Sequence, residues 1–461
     1  MVRPQIVITG CGVINALAVN AEGFWAALRS GRSGMGDAAA TPGPGPAGES
    51  ARLAALFANA HPVGAGEPGT GTERFFRVAD FGAAAAIDAN RRRRMPRLAQ
   101  LAIVAAQQAV GGAGGPALLQ QALQGLTGFY GAERVGVSFG TALGALDLTV
   151  EFMAQYITDG LAAASPATFP YTVLNTPAAL IAMELGLRGP NVTVNHRDLS
   201  AAEAIASACD LLRCGRVDAV LAGGADELSQ SLVHAYRALS VLACDATGRV
   251  ADAARGETPC PGPYDRRRRG LCPGEGATLF LLERAEDAQR RGARVWGHIA
   301  GYGRGGDARS RVGWRGAEGG AHADHHDHGA VQAVRGAIDM AALSPAAISG
   351  ICGGGNGTQL EQLETGVLRT ALGGAAEQVA VSSLLGRTGE WPASVAARVA
   401  QALFMLSEQA VPACACDEPD ERGALPGLQQ GIAAQPATVR SVLVPCFAQG
   451  GGNLALLLTP E

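Results

Sequence analysis

The stretch NVTVNHRDLSAAEAIASACDLLRCGRVDAVLAGGADE, residues 191–227, contains the pattern that decides the fold. Residues 191–195 form a short apolar run, residues 201–212 place apolar side chains at helical spacing, and residues 219–223 form a second apolar run. Two strands separated by a helix of this length indicate parallel pairing, with the helix packed on a face of the sheet. The stretch therefore predicts an α/β fold.

The same alternation of short apolar runs and helical segments continues on both sides of this stretch. Residues 135–139 form an earlier apolar run, and a second series of strands and helices extends from residue 277 to residue 457. We therefore divide the chain into two α/β halves, residues 1–262 and 263–461. Residues 36–72 are rich in Ala, Gly and Pro, and we interpret them as a surface insertion in the first half.

The composition excludes several classes of protein. A net charge of -4 over 461 residues provides no field that would attract nucleic acid or anionic lipid. The content of 48% apolar and 17% charged residues excludes a mostly disordered chain. The ten cysteines form no CxxC pair, so a disulfide framework is not indicated. No apolar run reaches the roughly 18 residues of a membrane span, and we expect a cytoplasmic location.

Two polar features each have a functional and a plain structural interpretation. The histidines His322, His325, His326 and His328 form a cluster of a kind that binds transition metals. A polar loop that binds metal only adventitiously is the favoured interpretation, so we predict no resident metal. The arginines at 266–269 either contact an acidic carrier protein or lie in a solvated turn.

Five motifs, taken together, resemble those of the β-ketoacyl synthases, the condensing enzymes of fatty-acid and polyketide assembly. They are VITGCGV (7–13), GLRGPNVTVN (186–195), GRVDAVLAGGADE (215–227), PYDRRRRGLCPGEGATLFLLE (263–283) and CFAQGGGNLALL (446–457). The resemblance implies the thiolase fold, in which two pseudo-symmetric halves form a five-layer αβαβα arrangement. It also implies a dimer with an acyl tunnel near the subunit interface.

The family's nucleophile is a cysteine at a sharp strand-to-helix turn, and Asp198 occupies the matching position here. A carboxylate that attacked an acyl thioester would form a mixed anhydride, which water hydrolyses. Aspartate is a favoured helix N-cap, and Ser200 and Glu203 match the reciprocal capping pattern, so we predict that Asp198 caps a helix and performs no chemistry. Cys352 and Cys446 lie near the pocket in this alignment, and we expect both to be buried apolar side chains.

The other catalytic positions also depart from the family pattern. Gly354 and Arg387 stand where the family has its two histidines, and Ser382 replaces its lysine. Neither glycine nor arginine can exchange protons near neutral pH as imidazole does. Three more residues are expected to line or gate the pocket: Asn356, Phe447 and Gln449.

These departures imply a catalytically degenerate member, similar to the chain-length factors of two-component polyketide and polyene synthases. Such a subunit pairs with an active ketosynthase and shapes the acyl tunnel for the partner's decarboxylative Claisen condensation. The implied cofactor is the phosphopantetheine of a partner acyl carrier protein, and no cofactor is expected to bind tightly to this chain. Two alternatives stay open: a stand-alone divergent acyltransferase or hydrolase that uses Asp198 or a relocated cysteine, and a homodimeric protein that binds acyl carriers or acyl-CoA.

Overall fold

The computed structural model describes residues 3–34, 75–78, 81, 87, 89–239, 241–243, 262–307, 328–448 and 450–460. Four predicted features lie outside these residues: the insertion at 36–72, His322, the pair His325 and His326, and Gln449. Among the helices within these residues, none is both long enough and apolar enough to cross a bilayer.

Twelve strands and fourteen α-helices lie in the described residues. The strands are β1 (Ile6–Asn15), β2 (Val135–Gly140), β3 (Asn191–Val194), β4 (Ala219–Asp226), β5 (Gly276–Arg284), β6 (Gly297–Gly306), β7 (Gly350–Cys352), β8 (Ala380–Ser382), β9 (Ala410–Val411), β10 (Gln435–Pro436), β11 (Val442–Phe447) and β12 (Gly452–Thr459). The helices are α1 (Ala21–Ser30), α2 (Ala89–Arg92), α3 (Arg97–Gly111), α4 (Gly115–Tyr130), α5 (Leu146–Asp159), α6 (Phe169–Thr172), α7 (Thr176–Leu185), α8 (Ser200–Arg213), α9 (Gln230–Ala238), α10 (Ala285–Arg290), α11 (His328–Met340), α12 (Leu360–Leu372), α13 (Leu385–Thr388) and α14 (Val395–Glu408).

Ten strands form one sheet in the order β3-β2-β4-β5-β1-β6-β12-β11-β7-β8. The sheet consists of two sets of five strands, and the order of the second set mirrors that of the first. Strands β1, β2, β3, β4 and β5 of the first set correspond, in this order, to β6, β7, β8, β11 and β12 of the second. The sets meet where residues 6–8 pair with residues 297–299. This repeat confirms the two pseudo-symmetric halves. The chain passes from the first set to the second between Arg284 and Gly297, after the division at 262/263 that the sequence suggested.

The strand pairing is only partly parallel, which corrects the expectation from the sequence. β2 pairs in parallel with β3 and β4, and β7 pairs in parallel with β8 and β11. The five pairings in the middle of the sheet are antiparallel. The physical reason is clearest at β11 and β12, because the residues between them, 448–451, form a connection too short for parallel neighbours.

The helices cover the outer faces of the two strand sets and fill the space between them. α3 and α7 pack on the first set, α11 packs on β6 and β12, and α12 packs on α11. Between the sets lie α8, which contacts β2 and β4, and α14, which contacts β7 and β11. A large apolar cluster surrounds these two central helices. The arrangement is the five-layer αβαβα thiolase fold.

The start of α8 lies against the ends of β2 and β4, and two glycines allow this close approach. A Cβ atom on Gly140 would lie 2.3 Å from the main-chain carbonyl of Ser200. A Cβ atom on Gly224 would lie 2.8 Å from the Cβ atom of Ala201. The glycines therefore fix the position of the central helix and of the turn at residues 195–199 that precedes it.

Candidate functional site

The chain turns sharply between β3 and α8, and Asp198 lies in that turn. Arg197 has a φ of 50°, in the left-handed region that side-chain-bearing residues seldom adopt. The Ser200 hydroxyl donates to the Arg197 carbonyl at 2.6 Å and accepts from the His196 N–H at 2.9 Å. The chain thus has a tight strand-to-helix turn at the position that matches the family's nucleophile.

The predicted capping role of Asp198 is wrong. Helix α8 begins at Ser200 with Leu199 at the N-cap position, and no side chain caps it. The N–H groups of Leu199 and Ser200 donate to the main-chain carbonyls of His196 and Arg197, so the tight turn itself leads into the helix without help from the Asp198 side chain. The predicted capping box is wrong as well, because the Glu203 carboxylate accepts hydrogen bonds from Arg304 at 2.9 and 3.0 Å.

Asp198 lines a cavity of about 50 Å³ between this turn and loops of the second half. Because one water needs about 10 to 15 Å³ of such volume, the cavity holds a few water molecules at most. Five residues singled out in the sequence lie on its wall: Asp198, Gly354, Asn356, Cys446 and Phe447. The wall residues that the sequence analysis missed include three charged residues and a tryptophan: Glu364, Glu390, Arg398 and Trp391. No histidine is among the described residues that line this cavity.

Gly354 is surrounded by charged groups. Its N–H donates to Oε2 of Glu364 at 2.9 Å, and Oε1 of Glu364 accepts from the Tyr264 hydroxyl at 2.6 Å. A Cβ atom on Gly354 would lie 3.0 Å from Oε2 of Glu364 and 3.1 Å from Nη1 of Arg398. Any larger side chain at position 354 therefore requires the ends of the Glu364 and Arg398 side chains to shift.

Arg398 and Glu390 fill much of the remaining space. Arg398 projects from the central helix α14 and donates from Nη1 to the carbonyls of Pro445 at 2.6 Å and Cys352 at 3.3 Å. Glu390 accepts a hydrogen bond from the Asn356 amide at 2.9 Å. Arg398 had a signal in the sequence, because it is the only charged residue in the apolar run from 395 to 406 of a helix that proves to be buried.

The pocket raises the pKa values of two carboxyl groups, those of Asp198 and Glu390. Burial raises the pKa of Asp198, although the guanidinium groups of Arg197 and Arg398 partly oppose the shift. Burial and the neighbouring Asp198 carboxylate raise the pKa of Glu390 to about 8, against the effect of its hydrogen bond from Asn356. Both shifts oppose formation of the carboxylate that a nucleophile needs, so the pocket does not activate either acid for attack on an acyl group.

Neither candidate thiol is activated. Cys352 is fully buried and Cys446 is nearly so, which confirms the expectation of buried apolar side chains. Burial raises the pKa of Cys446 to about 12, and its Sγ atom donates to the main-chain carbonyl of Asp198 at 3.3 Å. Burial likewise holds the pKa of Cys352 far above its ordinary value. Both thiols therefore stay protonated near neutral pH.

Arg387 and Ser382 lie away from the cavity and have structural partners. The Arg387 guanidinium donates to the carbonyls of Ala413 at 3.0 Å and Ile432 at 3.1 Å, and also to the carbonyl of Gly31. Burial lowers the pKa of Arg387. The Ser382 hydroxyl donates to the Pro412 carbonyl at 2.6 Å and accepts from the Gln401 amide at 2.7 Å. The residues at these two positions thus join separate segments of the fold.

Arginines of the run 266–269 form ion pairs within the chain. Arg266 pairs with Glu418, and Arg267 pairs with Asp265 at 2.9 Å and with Asp417 at 3.2 Å. Arg268 bonds Glu361 at 2.9 Å and Asp420 at 2.8 Å. This pairing favours a structural turn over a docking site for an acidic partner.

His328 is the member of the histidine cluster that the structure describes, and it is exposed at the start of α11. Within the ranges that the structure describes, no three His, Cys, Asp or Glu side chains come close enough together to hold a metal ion. The absence of a resident metal at the histidine cluster remains a prediction, because most of the cluster lies outside these ranges.

Comparison with known proteins agrees with the fold and the motifs. Residues 3–288 match the β-ketoacyl synthase N-terminal domain, and residues 310–416 match the C-terminal domain. A 3-oxoacyl-[acyl-carrier-protein] synthase 2 from Synechocystis is 27% identical over 98% of this chain and 97% of its own length. The ishigamide ketosynthase/chain length factor has 23% identity and a TM-score of 0.76, with full coverage of both chains.

A further solved structure, a ketosynthase in complex with its chain length factor from Xenorhabdus doucetiae, has 23% identity and a TM-score of 0.73. The match covers 99% of this chain and 98% of the other. At 23% identity, the similarity to these two solved structures shows that this chain shares their fold. The two domain matches, together with the thiolase-like architecture, establish that this chain belongs to the β-ketoacyl synthase family.

Proposed function

We propose that this chain is a non-catalytic subunit, similar to a chain-length factor, in a β-ketoacyl-[acyl carrier protein] synthase heterodimer. The partner would be an active ketosynthase of polyketide, polyene or fatty-acid-type biosynthesis. That partner would perform the decarboxylative Claisen condensation, and this chain would shape the acyl tunnel at their shared interface. The phosphopantetheine of an acyl carrier protein would deliver the acyl groups, and the complex would act in the cytoplasm.

The observation that carries this proposal is the content of the pocket at Asp198. A condensing enzyme needs a thiolate to hold the acyl group and two imidazoles to assist decarboxylation. Here the corresponding positions hold Asp198, Gly354 and Arg387, and Arg387 lies outside the pocket altogether. The cavity of about 50 Å³ has no room for a phosphopantetheine thioester.

An unpartnered apolar surface supports the presence of a partner subunit. We call it the α5–β3 face: it consists of α5, residues 161–163, α6, α7 and the edge strand β3. No residue of α5 is buried, although the helix contains several large apolar side chains. The exposed apolar side chains of this face are Met153, Tyr156, Ile157, Leu161, Phe169 and Met183. A contiguous apolar surface beside a sheet edge is typical of a protein–protein interface.

The solved relatives support the same arrangement in general terms. Two of the structures with this fold are described as a ketosynthase/chain length factor and as a ketosynthase in complex with its chain length factor. A third is described as an acyl carrier protein in complex with its ketosynthase. Partners of these kinds are therefore compatible with the fold of this chain.

A stand-alone acyltransferase or hydrolase is less well supported. It would need Asp198 or Cys446 as a nucleophile, and burial favours the protonated form of both groups. A homodimeric protein that binds acyl carriers differs from a synthase subunit in its stoichiometry. Subunit composition therefore distinguishes this second alternative from the proposed heterodimer.

Native mass spectrometry after co-expression with a cysteine-bearing ketosynthase, the one encoded nearest to this chain, tests the proposal. We expect a one-to-one complex of the two different chains, with little homodimer of this chain. The control is the same co-expression with a ketosynthase from an unrelated synthase, which should yield no complex. A stable homodimer of this chain that forms no complex with the cognate ketosynthase would overturn the proposal.

A further inference from the structure

A second cavity, of about 370 Å³, lies on the outer layer of the first half and shares no residue with the pocket at Asp198. It is open to solvent on one side and is bounded by α4, the end of α3, strands β1 and β5, and residues 290–294. Its volume falls within the range of small-molecule sites, about 300 to 1,000 Å³. The proposed subunit role makes no use of this cavity.

The floor of the second cavity is aliphatic and one wall is polar. Val110, Leu126 and Leu281 supply the aliphatic floor. The polar wall contains Arg291, whose Nε atom donates to the buried Glu283 at 2.5 Å. Glu283 also accepts from the Tyr130 hydroxyl at 2.6 Å. These hydrogen bonds pair the charge of Arg291 with that of Glu283 and hold both side chains in place. The polar wall is therefore a rigid boundary of the cavity.

The rim of the second cavity carries two exposed arginines. Arg290 is bonded to Asp287 and lies over the ring of Phe129, 5.6 Å from its centroid. Arg294 lies 3.8 Å from the ring centroid of Trp296 and has no carboxylate partner among the described residues. The rim therefore presents one cation whose charge is not neutralised next to an aliphatic floor.

A glycine inside α4 keeps the cavity open. Glycine in a helix interior is less stable than alanine, so its presence normally has a packing or backbone reason. Gly125 has no backbone reason, because its φ is not positive. It has no packing reason either, because a Cβ atom placed on it would meet nothing within 4 Å. Gly125 does line the cavity. Gly128, three residues later, is equally unconstrained but does not line it.

We propose that this cavity is a binding site for a medium-chain alkyl carboxylate. The alkyl chain lies over the aliphatic floor in the space left by Gly125, and the carboxylate meets Arg294 at the rim. Burial of the methylene groups provides the affinity, and the cation provides the selectivity for an anionic head. The inference is independent of the proposed subunit function.

Isothermal titration calorimetry with sodium decanoate, below its micelle concentration, tests this site in the purified full-length chain. We expect saturable binding of one decanoate per chain. Gly125→Leu fills the cavity and should weaken binding at least tenfold, whereas the matched Gly128→Leu should leave it within twofold. Arg294→Gln should weaken decanoate binding about two- to fivefold, as expected for an exposed ion pair.

Two readouts keep a folding defect separate from a loss of binding. Gly125→Leu and Gly128→Leu both replace a glycine by a better helix former, so both should raise the midpoint of thermal unfolding. Decanol, which has the same chain without the charge, should bind more weakly than decanoate to the wild-type chain. Absence of saturable decanoate binding, equal binding by Gly125→Leu, or equal affinity for decanol would each overturn the proposal.

Discussion

At the scale of single residues, Gly354 lies in a crowded part of the pocket. The space that a side chain at this position would enter is occupied by Glu364 and Arg398, 3.0 and 3.1 Å from the position of a Cβ atom. Glu364 accepts a hydrogen bond from the Tyr264 hydroxyl, and Arg398 donates one to the Pro445 carbonyl. An imidazole at position 354 therefore requires these two buried side chains to move, which costs free energy.

This crowding predicts the outcome of restoring the nucleophile alone. Asp198→Cys should produce no detectable condensation, because the variant still lacks both imidazoles and the cavity stays about 50 Å³ in volume. The measurement is the formation of 3-oxoacyl carrier protein by the isolated variant, with an active ketosynthase as the positive control. Recovery of condensation through this one substitution would contradict our assignment of the catalytic positions.

Glu390 predicts a pH dependence of stability. Its pKa of about 8 in the folded chain lies above its ordinary value of 4.5, so between these values the folded state keeps a proton that the unfolded state releases. The free energy of unfolding therefore falls as the pH rises from 5 to 8, by up to about 1.4 kcal/mol per pH unit from this one group. Glu390→Gln removes this contribution, because an amide is neutral throughout the range.

Urea unfolding at pH 5, 6, 7 and 8 measures the effect of Glu390. The variant should lose less stability with rising pH than the wild type. Burial also raises the pKa values of Glu227 and Glu361 to about 8, so both proteins retain a common downward slope. The difference between the two slopes is therefore the diagnostic quantity, and parallel slopes would show that Glu390 does not hold its proton.

The residues of the pocket could be predicted from the sequence only in part. Asp198, Gly354 and Asn356 lie in motifs whose order along the chain identifies them. Glu364 and Glu390 could not be identified in this way, because their roles depend on how α12 and the segment after α13 fold toward the β3–α8 turn. Motif position also says nothing about side-chain direction, which is why it could not place Arg387 outside the pocket.

At the scale of elements, Arg387 is a connector between three segments. Its hydrogen bonds join the end of α1 to the chain near Ala413 and near Ile432. Arg387→His, which restores the family's residue, should lower the free energy of unfolding by about 2 to 4 kcal/mol, because an imidazole cannot satisfy three buried carbonyls. Denaturant unfolding provides the measurement.

A matched arginine variant controls for the Arg387 experiment. Arg369→His changes a partly exposed arginine on α12 that pairs with Glu377 at 3.7 Å, and its effect should stay within about 0.5 kcal/mol. Equal stability of Arg387→His and Arg369→His would show that the three carbonyls have adequate alternatives. The structural role of Arg387 would then be wrong.

The elements themselves were predictable where local pattern decides them. The helical periodicity of 201–212 and the apolar run of 219–223 correspond to α8 and β4. Strand direction in the middle of the sheet was not predictable, because it depends on long connections and on the β11–β12 hairpin rather than on side-chain pattern. The capping prediction failed because the side-chain pattern does not reveal the left-handed conformation of Arg197. That conformation forms a tight turn, and α8 begins only after it, with Leu199 at the N-cap position.

At the scale of the whole molecule, the α5–β3 face predicts where the partner binds. Ile157, on α5, is 74% exposed, and Ile157→Asp should abolish or greatly weaken the complex with the ketosynthase, because a charge cannot be desolvated there at low cost. Ile432, also 74% exposed but outside this face, provides the matched control. Ile432→Asp should leave the complex intact in size-exclusion chromatography, and equal effects of the two variants would place the interface elsewhere.

The most direct test of the central claim is to find which chain carries the acyl group. The assembled complex is incubated with acyl carrier protein loaded with a labelled acyl chain, and each subunit is analysed by intact-protein mass spectrometry. We predict that the acyl mass lies entirely on the ketosynthase, that this chain keeps its unmodified mass, and that this chain without its partner forms no product. An acyl adduct on this chain, or condensation by this chain alone, would contradict the account.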